Sequence, residues 1–394
     1  MFVSTYPMGN GEPFIESELL YTHTFWKEIF LIRNIQEQGG KDRQIPTNSS
    51  AMAVSISKKN GRKYSVLRNF SLVLYILLLE LINSRQKVLY ILGIKKHFSL
   101  LKASFRMADQ IEALPKFNHE ACFYSYWFNE WNLALSILRY KKKINKNYTR
   151  AHGFDLYENN GKPNYQPFRK FCLKNTDTVF TVSEAGAQYL KERYNRFQQK
   201  IKSSHLGTED MGIGPTVHVS DVIQIVSCGS LVEVKRPTLI IDILKACTFK
   251  VKWIHIGDGY LRKHLETLSH TLPENIQCCF MGRLSQKEVF EFYSKNYVDC
   301  FLNTSISEGL PVSIMEAISF GIPIIATNVG GTSEIVRNNI TGKLIDVNFD
   351  VFQVANMIQN VRPEFNDKRQ QIRDFWSKKF NAKINYTIFS NELI

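Results

Sequence analysis

The sequence predicts an α/β protein built from two doubly wound halves. Three observations carry this prediction: a length of 394 residues, an alternation of short apolar runs with amphipathic stretches, and a polar break near the middle. One hydrophobic core seldom organises so long a chain, so two domains are expected. The break, Gly207-Thr208-Glu209-Asp210-Met211-Gly212-Ile213-Gly214-Pro215, is polar, rich in Gly and closed by Pro, which suits a linker. Hydrophobic residues at 44% and charged residues at 22% exclude disorder, collagen and a multispan membrane protein.

The second half alternates most cleanly. Residues 222–227 read as a strand and 237–247 as the helix after it. Residues 251–256 form the next strand, ending in Gly257-Asp258-Gly259 before a helix from about Tyr260. Further strands are expected at 275–280, 298–303, 322–326 and 343–346. Strand, helix, strand with short Gly-rich turns means a parallel sheet covered on both faces. In the first half the strands are expected at 2–5, 30–33, 88–91, 122–126, 148–151 and 179–183. Ser183, before Glu184, reads as a helix N-cap. Two Rossmann-like halves facing one another leave a cleft at the carboxyl ends of both sheets, where ligands are expected. The tail from Lys368 to Ile394 reads as helical, with Phe380, Ile384, Tyr386 and Phe389 apolar, and is expected to cross back onto the first half.

The net charge of +14 is lodged in one half. Up to Leu206 there are 31 basic and 16 acidic residues; beyond it, 19 and 20. The first half is therefore expected to meet something anionic: nucleic acid, a membrane surface or a phosphorylated substrate. Seven cysteines without a CxxC spacing argue against a disulfide framework or a zinc site, and read as small buried hydrophobes in a reducing compartment. The N-terminus has neither a basic n-region nor a long h-region, so no signal peptide is expected. Leu72 to Leu79 is unbroken apolar but much shorter than the roughly 18–20 residues of a spanning helix. Lys58, Lys59, Arg62, Lys63 and Arg68 precede it, and Arg85 and Lys87 follow. A helix lying on an anionic membrane fits this pattern, and so does a helix buried against the sheet.

The densest polar cluster is Ser307-Glu308-Gly309-Leu310-Pro311-Val312-Ser313-Ile314-Met315-Glu316-Ala317, after a strand and opening a helix. The plain reading is a strand-to-helix turn, with Pro311 near the first helical position and Glu316 complementing the helix dipole. The functional reading has Glu308 and Glu316 entering one cleft to grip a polyol, while Gly309 lets backbone N–H groups approach a ligand. This segment closely resembles the EX7E signature of retaining glycosyltransferases of family 4. Asn303-Thr304-Ser305-Ile306-Ser307 resembles the family's strand end, Gly330-Gly331-Thr332-Ser333-Glu334 its following Gly-Gly turn, and Gly257-Asp258-Gly259 its Gly-Asp-Gly. Arg150-Ala151-His152-Gly153-Phe154-Asp155 looks like the His-Gly segment of polysaccharide-building members. Tyr6-Pro7 through Gly11-Glu12-Pro13 resembles their N-terminal loop.

The resemblance implies a GT-B fold, with residues 1–206 as the acceptor-binding domain, 207–369 as the nucleotide-sugar-binding domain, and a helix at about 370–394 packing back on the first. It implies that Glu308 contacts donor-sugar hydroxyls and Glu316 the ribose hydroxyls, work suited to carboxylates because each accepts two hydroxyl hydrogen bonds. Gly309, Leu310, Pro311 and Val312 would face the sugar and diphosphate, and Gly11 would close the diphosphate side. Lys235 matches the family's phosphate-binding lysine, beside the Gly229 turn. Many members have an arginine where this chain has Ser230; Arg236 or the helix dipole would have to compensate. His152 would position the sugar and stabilise the transition state. The chain contains no Asp-x-Asp pair, so neither cofactor nor metal is expected; the lysine and helix termini would neutralise the leaving diphosphate.

The acceptor is less legible. Tyr124, Tyr126, Trp127 and Trp131, followed by Arg139, Lys141, Lys142 and Lys143, read either as a sugar- and membrane-facing cluster or as core aromatics with a solvated basic helix end. The resulting expectation is a cytoplasmic transferase, peripheral on the inner face of the cell membrane. It would be retaining and metal-independent, moving a hexose-type sugar from a UDP- or GDP-sugar to a glycan or lipid-pyrophosphate-linked acceptor for capsule, lipopolysaccharide or other surface polysaccharide. The alternative is a catalytically silent nucleotide-sugar-binding protein of the same fold. No nucleic-acid module is present, so nucleic acid is not an expected partner.

Overall fold

A computed structural model describes residues 6–7, 13–34, 43, 45–54, 68–83, 91, 93–158, 165–217 and 220–394. The chain forms two units, Met1–His205 with Tyr386–Ile394, and Leu206–Asn385.

In the first unit β1 (Ile29–Asn34) pairs in parallel with β2 (Ser49–Val54), and, among the described residues, β3 (Cys122–Ser125), β4 (Lys146–Ala151), β5 (Thr178–Thr181) and β6 (Ile201–Ser203) form a four-stranded parallel sheet in that order. The expected strand at 2–5 lies outside the described residues, as does 88–91 apart from Ile91. Sequence periodicity misses β2 because Ser-Ser-Ala-Met-Ala-Val carries little apolar bulk, and β6 because three residues make no pattern. Ser183 caps the helix Glu184–Arg193 as expected, accepting from the Gly186 N–H at 3.0 Å. At the centre Arg150 is fully buried: it donates to Tyr124 Oη at 2.9 Å and to the Ser204 carbonyl at 2.9 Å, and its guanidinium lies 4.0 Å from the Phe389 ring centroid. Tyr124, Tyr126 and Trp131 are buried in this unit, so the core reading of those aromatics holds. Arg139 pairs with Asp177 and Lys143 with Glu112.

The second unit is a six-stranded parallel sheet of β7 (Ile223–Cys228), β8 (Val251–Ile256), β9 (Ile276–Gly282), β10 (Cys300–Asn303), β11 (Ile324–Thr327) and β12 (Gly342–Ile345), in the order β12-β11-β10-β7-β8-β9. Counted from β7 this is the doubly wound order 3-2-1-4-5-6, whose switch point falls between β7 and β10. β10 starts two residues later than expected. The Asp299 carboxylate is turned to cap the sheet, accepting from the Gln224 N–H at 2.7 Å and from Arg362.

The stretch expected to be a linker is fixed to the second unit. The Gly214 N–H donates to the Phe320 carbonyl, and Arg373 donates to the Gly212 carbonyl and pairs with Asp210. The single tail helix expected at 370–394 is instead two helices, Arg369–Lys379 and Ala382–Leu393. The break has a cause: Thr208 donates to the Phe380 carbonyl and accepts from the Ala382 N–H, occupying groups a continuous helix would need, while Trp376 Nε1–H reaches Thr208 Oγ1 at 2.8 Å. Only Tyr386–Ile394 joins the first unit. All seven cysteines are free thiols, but only Cys172, Cys247 and Cys300 are buried; Cys279 is exposed, which corrects the uniform buried reading.

Candidate active site

The chain leaving β7 turns through Gly229, and the chain leaving β8 turns through Gly257, whose φ is +142°. A Cβ on Gly257 would fall 1.9 Å from the Gly229 carbonyl oxygen, so the two turns pack backbone to backbone. Beneath them runs a buried chain of hydrogen bonds. Trp253 Nε1–H donates to Ser227 Oγ (2.9 Å), Ser227 lies 2.8 Å from His255 Nδ1, and His255 Nε2 is 3.1 Å from the Gly229 carbonyl. Trp253 can only donate and the carbonyl can only accept, so the chain has one polarity: Ser227 O–H to Nδ1, and Nε2–H to Gly229. Burial holds the His255 pKa down at about 4, keeping the ring neutral.

Lys235 ends a short 3-10 turn, Glu233–Lys235, after the Gly229 loop. Thr304, just past β10, donates to the carbonyls of Lys235 and Arg236 at 3.0 Å each, and the Ile306 N–H donates to the Val234 carbonyl, so the loops after β7 and β10 are tied together. Glu308 is thereby brought to Lys235. Its Oε1 accepts from Lys235 Nζ at 2.6 Å, Ser305 Oγ at 2.6 Å and Asn303 Nδ2 at 3.2 Å. The carboxylate side chain is only 8% exposed, while that of Lys235 is 34% exposed. Gly330 closes this loop from behind. Its φ is +53°, a Cβ there would lie 1.8 Å from the Glu308 carbonyl oxygen, and the Gly331 N–H donates to the Gly309 carbonyl at 2.7 Å.

The helix Val312–Ser319 opens directly after Leu310 and Pro311, with Pro311 just outside it. The Pro311 carbonyl accepts from the amides of Ile314 and Met315, so the amides of Val312 and Ser313 precede the first intrahelical bond and give this end its positive pole. Glu316 is buried on that helix. Burial pushes its pKa up to about 7, against the lowering effect of Gln286, whose Nε2 donates to Oε1 at 2.9 Å. Cys228, at the end of β7, is close enough to feel the charges of both Glu316 and Lys235. Arg236 sits at φ +47°, with Nε on the Thr304 carbonyl at 2.7 Å and Nη1 on that of Val347 at 2.8 Å. Those two donors brace loops and are not left over for a diphosphate. Ser230 is exposed.

Gly229, Ser230, Lys235, Arg236, Glu308, Gly309, Leu310, Pro311, Val312 and Glu316 thus all lie in the second unit, around the ends of β7 and β10 and the helix beside them. Gly11 lies outside the described residues. His152 belongs to the first unit, past the end of β4. Its backbone N–H donates to Asp155 Oδ1 at 2.7 Å, and its ring lies 4.3 Å from that of Trp127 and 4.8 Å from that of Tyr126. Asp155 Oδ2 also accepts from the Phe128 N–H, so the carboxylate joins the turns after β3 and β4. The imidazole is held in one place by aromatic walls and a backbone-anchoring carboxylate. Sequence reasoning did not single out Gln286, Ser227 or His255; Asn303 and Ser305 were noticed only as part of a strand end.

Residues 215–373 match the family model described as Glycosyl transferases group 1. The O-antigen biosynthesis glycosyltransferase WbnH of Escherichia coli is 26% identical over 225 residues, which is 56% of this chain and 62% of that protein. The match therefore spans less than two thirds of this relative. Among solved structures, Anabaena HepE in complex with UDP superposes with a TM-score of 0.68 at 13% identity, covering 100% of this chain and 98% of that one. The apo lipopolysaccharide outer core galactosyltransferase WaaB gives 0.67 at 15% identity, covering 99% and 97%. These likenesses establish the fold as GT-B.

Proposed function

We propose that this chain, whose residues 215–373 match the family model described as Glycosyl transferases group 1, moves a sugar from a nucleotide-diphosphate donor to a glycan or lipid-pyrophosphate-linked acceptor in surface-polysaccharide assembly. The observation that carries the proposal is the Lys235–Glu308 pair, held at a doubly wound switch point beside a helix N-terminus. A cation and the amides of a helix N-terminus there suit a diphosphate, and a carboxylate beside them suits sugar hydroxyls. The relative's role in O-antigen synthesis and the UDP found in HepE support a surface glycan and a UDP-sugar.

In this reading Lys235 and the amides of Val312 and Ser313 take the charge that develops on the departing diphosphate, which removes the need for a metal ion. Glu308 orients the sugar and Glu316 the ribose. His152 positions the sugar, and the anomeric configuration is retained, with the leaving phosphate helping to deprotonate the acceptor. The enzyme would work on the cytoplasmic face of the membrane; among the described residues no helix is long and apolar enough to cross one. The test is a panel of UDP- and GDP-sugars with lipid-linked acceptors, without added metal. Transfer should appear and should collapse in Glu308→Ala and Lys235→Ala; undiminished transfer in both variants would refute the site.

A second reading has one specific observation behind it. Ser230 stands where a clamp arginine is usual, and Arg236 has Nε and Nη1 spent on carbonyls. A silent nucleotide-sugar binder would show calorimetric binding with neither transfer nor donor hydrolysis.

A further inference from the structure

The two features of the first half that sequence reading left apart, the apolar run at Leu72–Leu79 and the cations at Lys141–Lys143, lie on one surface. The run belongs to the helix Phe70–Asn83. Leu72, Val73, Ile76 and Glu80 are buried and dock it on the unit's core, which answers one of the two expectations for this segment. The opposite face is open: Phe70 is 64% exposed, Leu74 45%, Leu78 47%, Leu81 40% and Ile82 71%. Placed at 100° per residue, these five fall within about one third of the helix circumference. The one further exposed residue between Phe70 and Ile82 is Ser71.

An apolar stripe so nearly free of polar interruption is not a solvated helix face. Its surroundings are cationic. Lys174 Nζ lies 3.2 Å from Tyr75 Oη on this helix, and the Tyr75 ring stacks on that of Tyr140 at 5.7 Å, which places Lys141 and Lys142 beside it. Arg68 and Lys141 are near enough for their charges to repel. Lys143 is tied to Glu112 and Lys141 has Asp109 and Glu112 for company, so Arg68, Lys142 and Lys174 are the outward cations of the rim.

We infer that this face is a membrane-docking surface: the helix Phe70–Asn83 lies in the plane of an anionic bilayer, with Phe70, Leu74, Leu78, Leu81 and Ile82 among the acyl chains and Arg68, Lys142 and Lys174 at the headgroups. Charge complementarity selects this occupant, since the same unit carries the whole positive excess of the chain. A second copy of the chain would bring like charges together around the same stripe. The inference builds on the proposed lipid-linked acceptor by naming the surface that would meet the lipid.

The experiment is co-sedimentation of the whole chain with vesicles of phosphatidylcholine alone or with phosphatidylglycerol, in the absence of donor. The wild type should pellet with the anionic vesicles only, and half a molar salt should weaken binding at least tenfold. Leu74→Glu with Leu78→Glu should abolish pelleting, with unchanged circular dichroism and unchanged nucleotide-sugar affinity. Leu74→Ser with Leu78→Ser guards against misfolding in the charged variant and should weaken binding at least tenfold. Arg68→Glu with Lys142→Glu should reduce it severalfold. A wild type that ignores anionic vesicles, or a doubly charged variant that still binds them, overturns the inference. So does a wild-type dimer that this variant converts to monomer without any vesicle binding. A chain that binds nucleotide sugar but no vesicle sinks this surface and leaves the functional reading standing; vesicle binding without nucleotide-sugar binding does the reverse.

Discussion

Lys235 Nζ is 2.6 Å from Oε1 of Glu308, and that one oxygen also accepts from Ser305 and Asn303. The Glu308 side chain is nearly sealed while that of Lys235 is a third exposed, so the lysine is the more accessible member of the pair. A diphosphate would approach the open side of the lysine, and the lysine would bridge it to Glu308. Two variants should therefore separate binding from chemistry. Lys235→Met removes the charge proposed to meet the diphosphate and should raise the donor Kd and cut kcat by about 10²–10³ in total. Glu308→Gln keeps an acceptor near Ser305 and Asn303 and should bind donor within a few fold while kcat falls. Calorimetry with a nucleotide sugar, paired with turnover, reads both; identical losses of affinity in the two variants would dissolve the division of labour.

Glu316 should make donor affinity depend on pH. Its folded pKa is raised to about 7 by burial, so at pH 5–6 it is largely protonated, and a protonated carboxyl presents fewer acceptor sites to ribose hydroxyls. Affinity should rise as pH goes from 5.5 to 8, with proton release on binding below pH 7. The stability trend runs the other way: with the folded pKa above the unfolded one, this group's contribution is fully present below about pH 4.5 and is lost as pH rises through 7. Titrations of a nucleotide sugar in two buffers of different ionisation enthalpy measure the proton count. Glu316→Gln should flatten the affinity profile, and a profile unaltered in that variant would assign the titration elsewhere.

His255 supports the Gly229 turn without facing solvent, being 4% exposed. His255→Phe would leave Ser227 and the Gly229 carbonyl each short of a partner, at a cost of about 1–3 kcal/mol per buried group. His255→Gln restores a donor toward Gly229 and should recover part of both melting temperature and donor KM. Because the folded pKa is depressed to about 4, the neutral ring's stabilisation is complete above pH 6.5 and drains as pH falls toward 4, by about 3 kcal/mol at most. Denaturant melts at pH 7.5 and 4.5 on wild type and His255→Phe would show the difference narrowing in the acid. A constant difference would mean that another group drives the acid sensitivity.

What could be read in the sequence follows from where the information is local. The second unit's strands were visible because β7, β8, β10 and β11 are buried on both faces and so spell apolar runs between Gly-rich turns. The Lys235 and Glu308 loops were visible through Gly, Pro and carboxylate spacing. The bond from Gln286 to Glu316 was not, because it joins side chains 30 positions apart and the sequence around Gln286 shows only the Ser285–Glu288 capping box. His255 looked like one more residue of an apolar strand; its role comes from Ser227 on β7, which only the parallel register brings alongside. The tail helix was drawn too long because helical periodicity runs through Phe380, whereas the break is imposed from outside by Thr208.

Gly330 allows the sharpest test of the loop that carries Glu308. Its φ of +53° costs a residue with a side chain about 1–3 kcal/mol, and the Cβ would also overlap the Glu308 carbonyl oxygen at 1.8 Å. Relief requires the Glu308–Gly309 backbone to move away, which breaks the Gly331 bond to Gly309 and pulls the carboxylate from Lys235. Gly330→Ala should therefore lower the melting temperature and cost donor affinity together, although residue 330 carries no functional group of its own. Gly212→Ala is the control: its φ is also positive, at +89°, but a Cβ there meets nothing within 4 Å, so it should pay the conformational cost alone and leave nucleotide-sugar binding as it was. Equal loss of donor affinity in the two variants would show that backbone strain, rather than displacement of Glu308, governs the site.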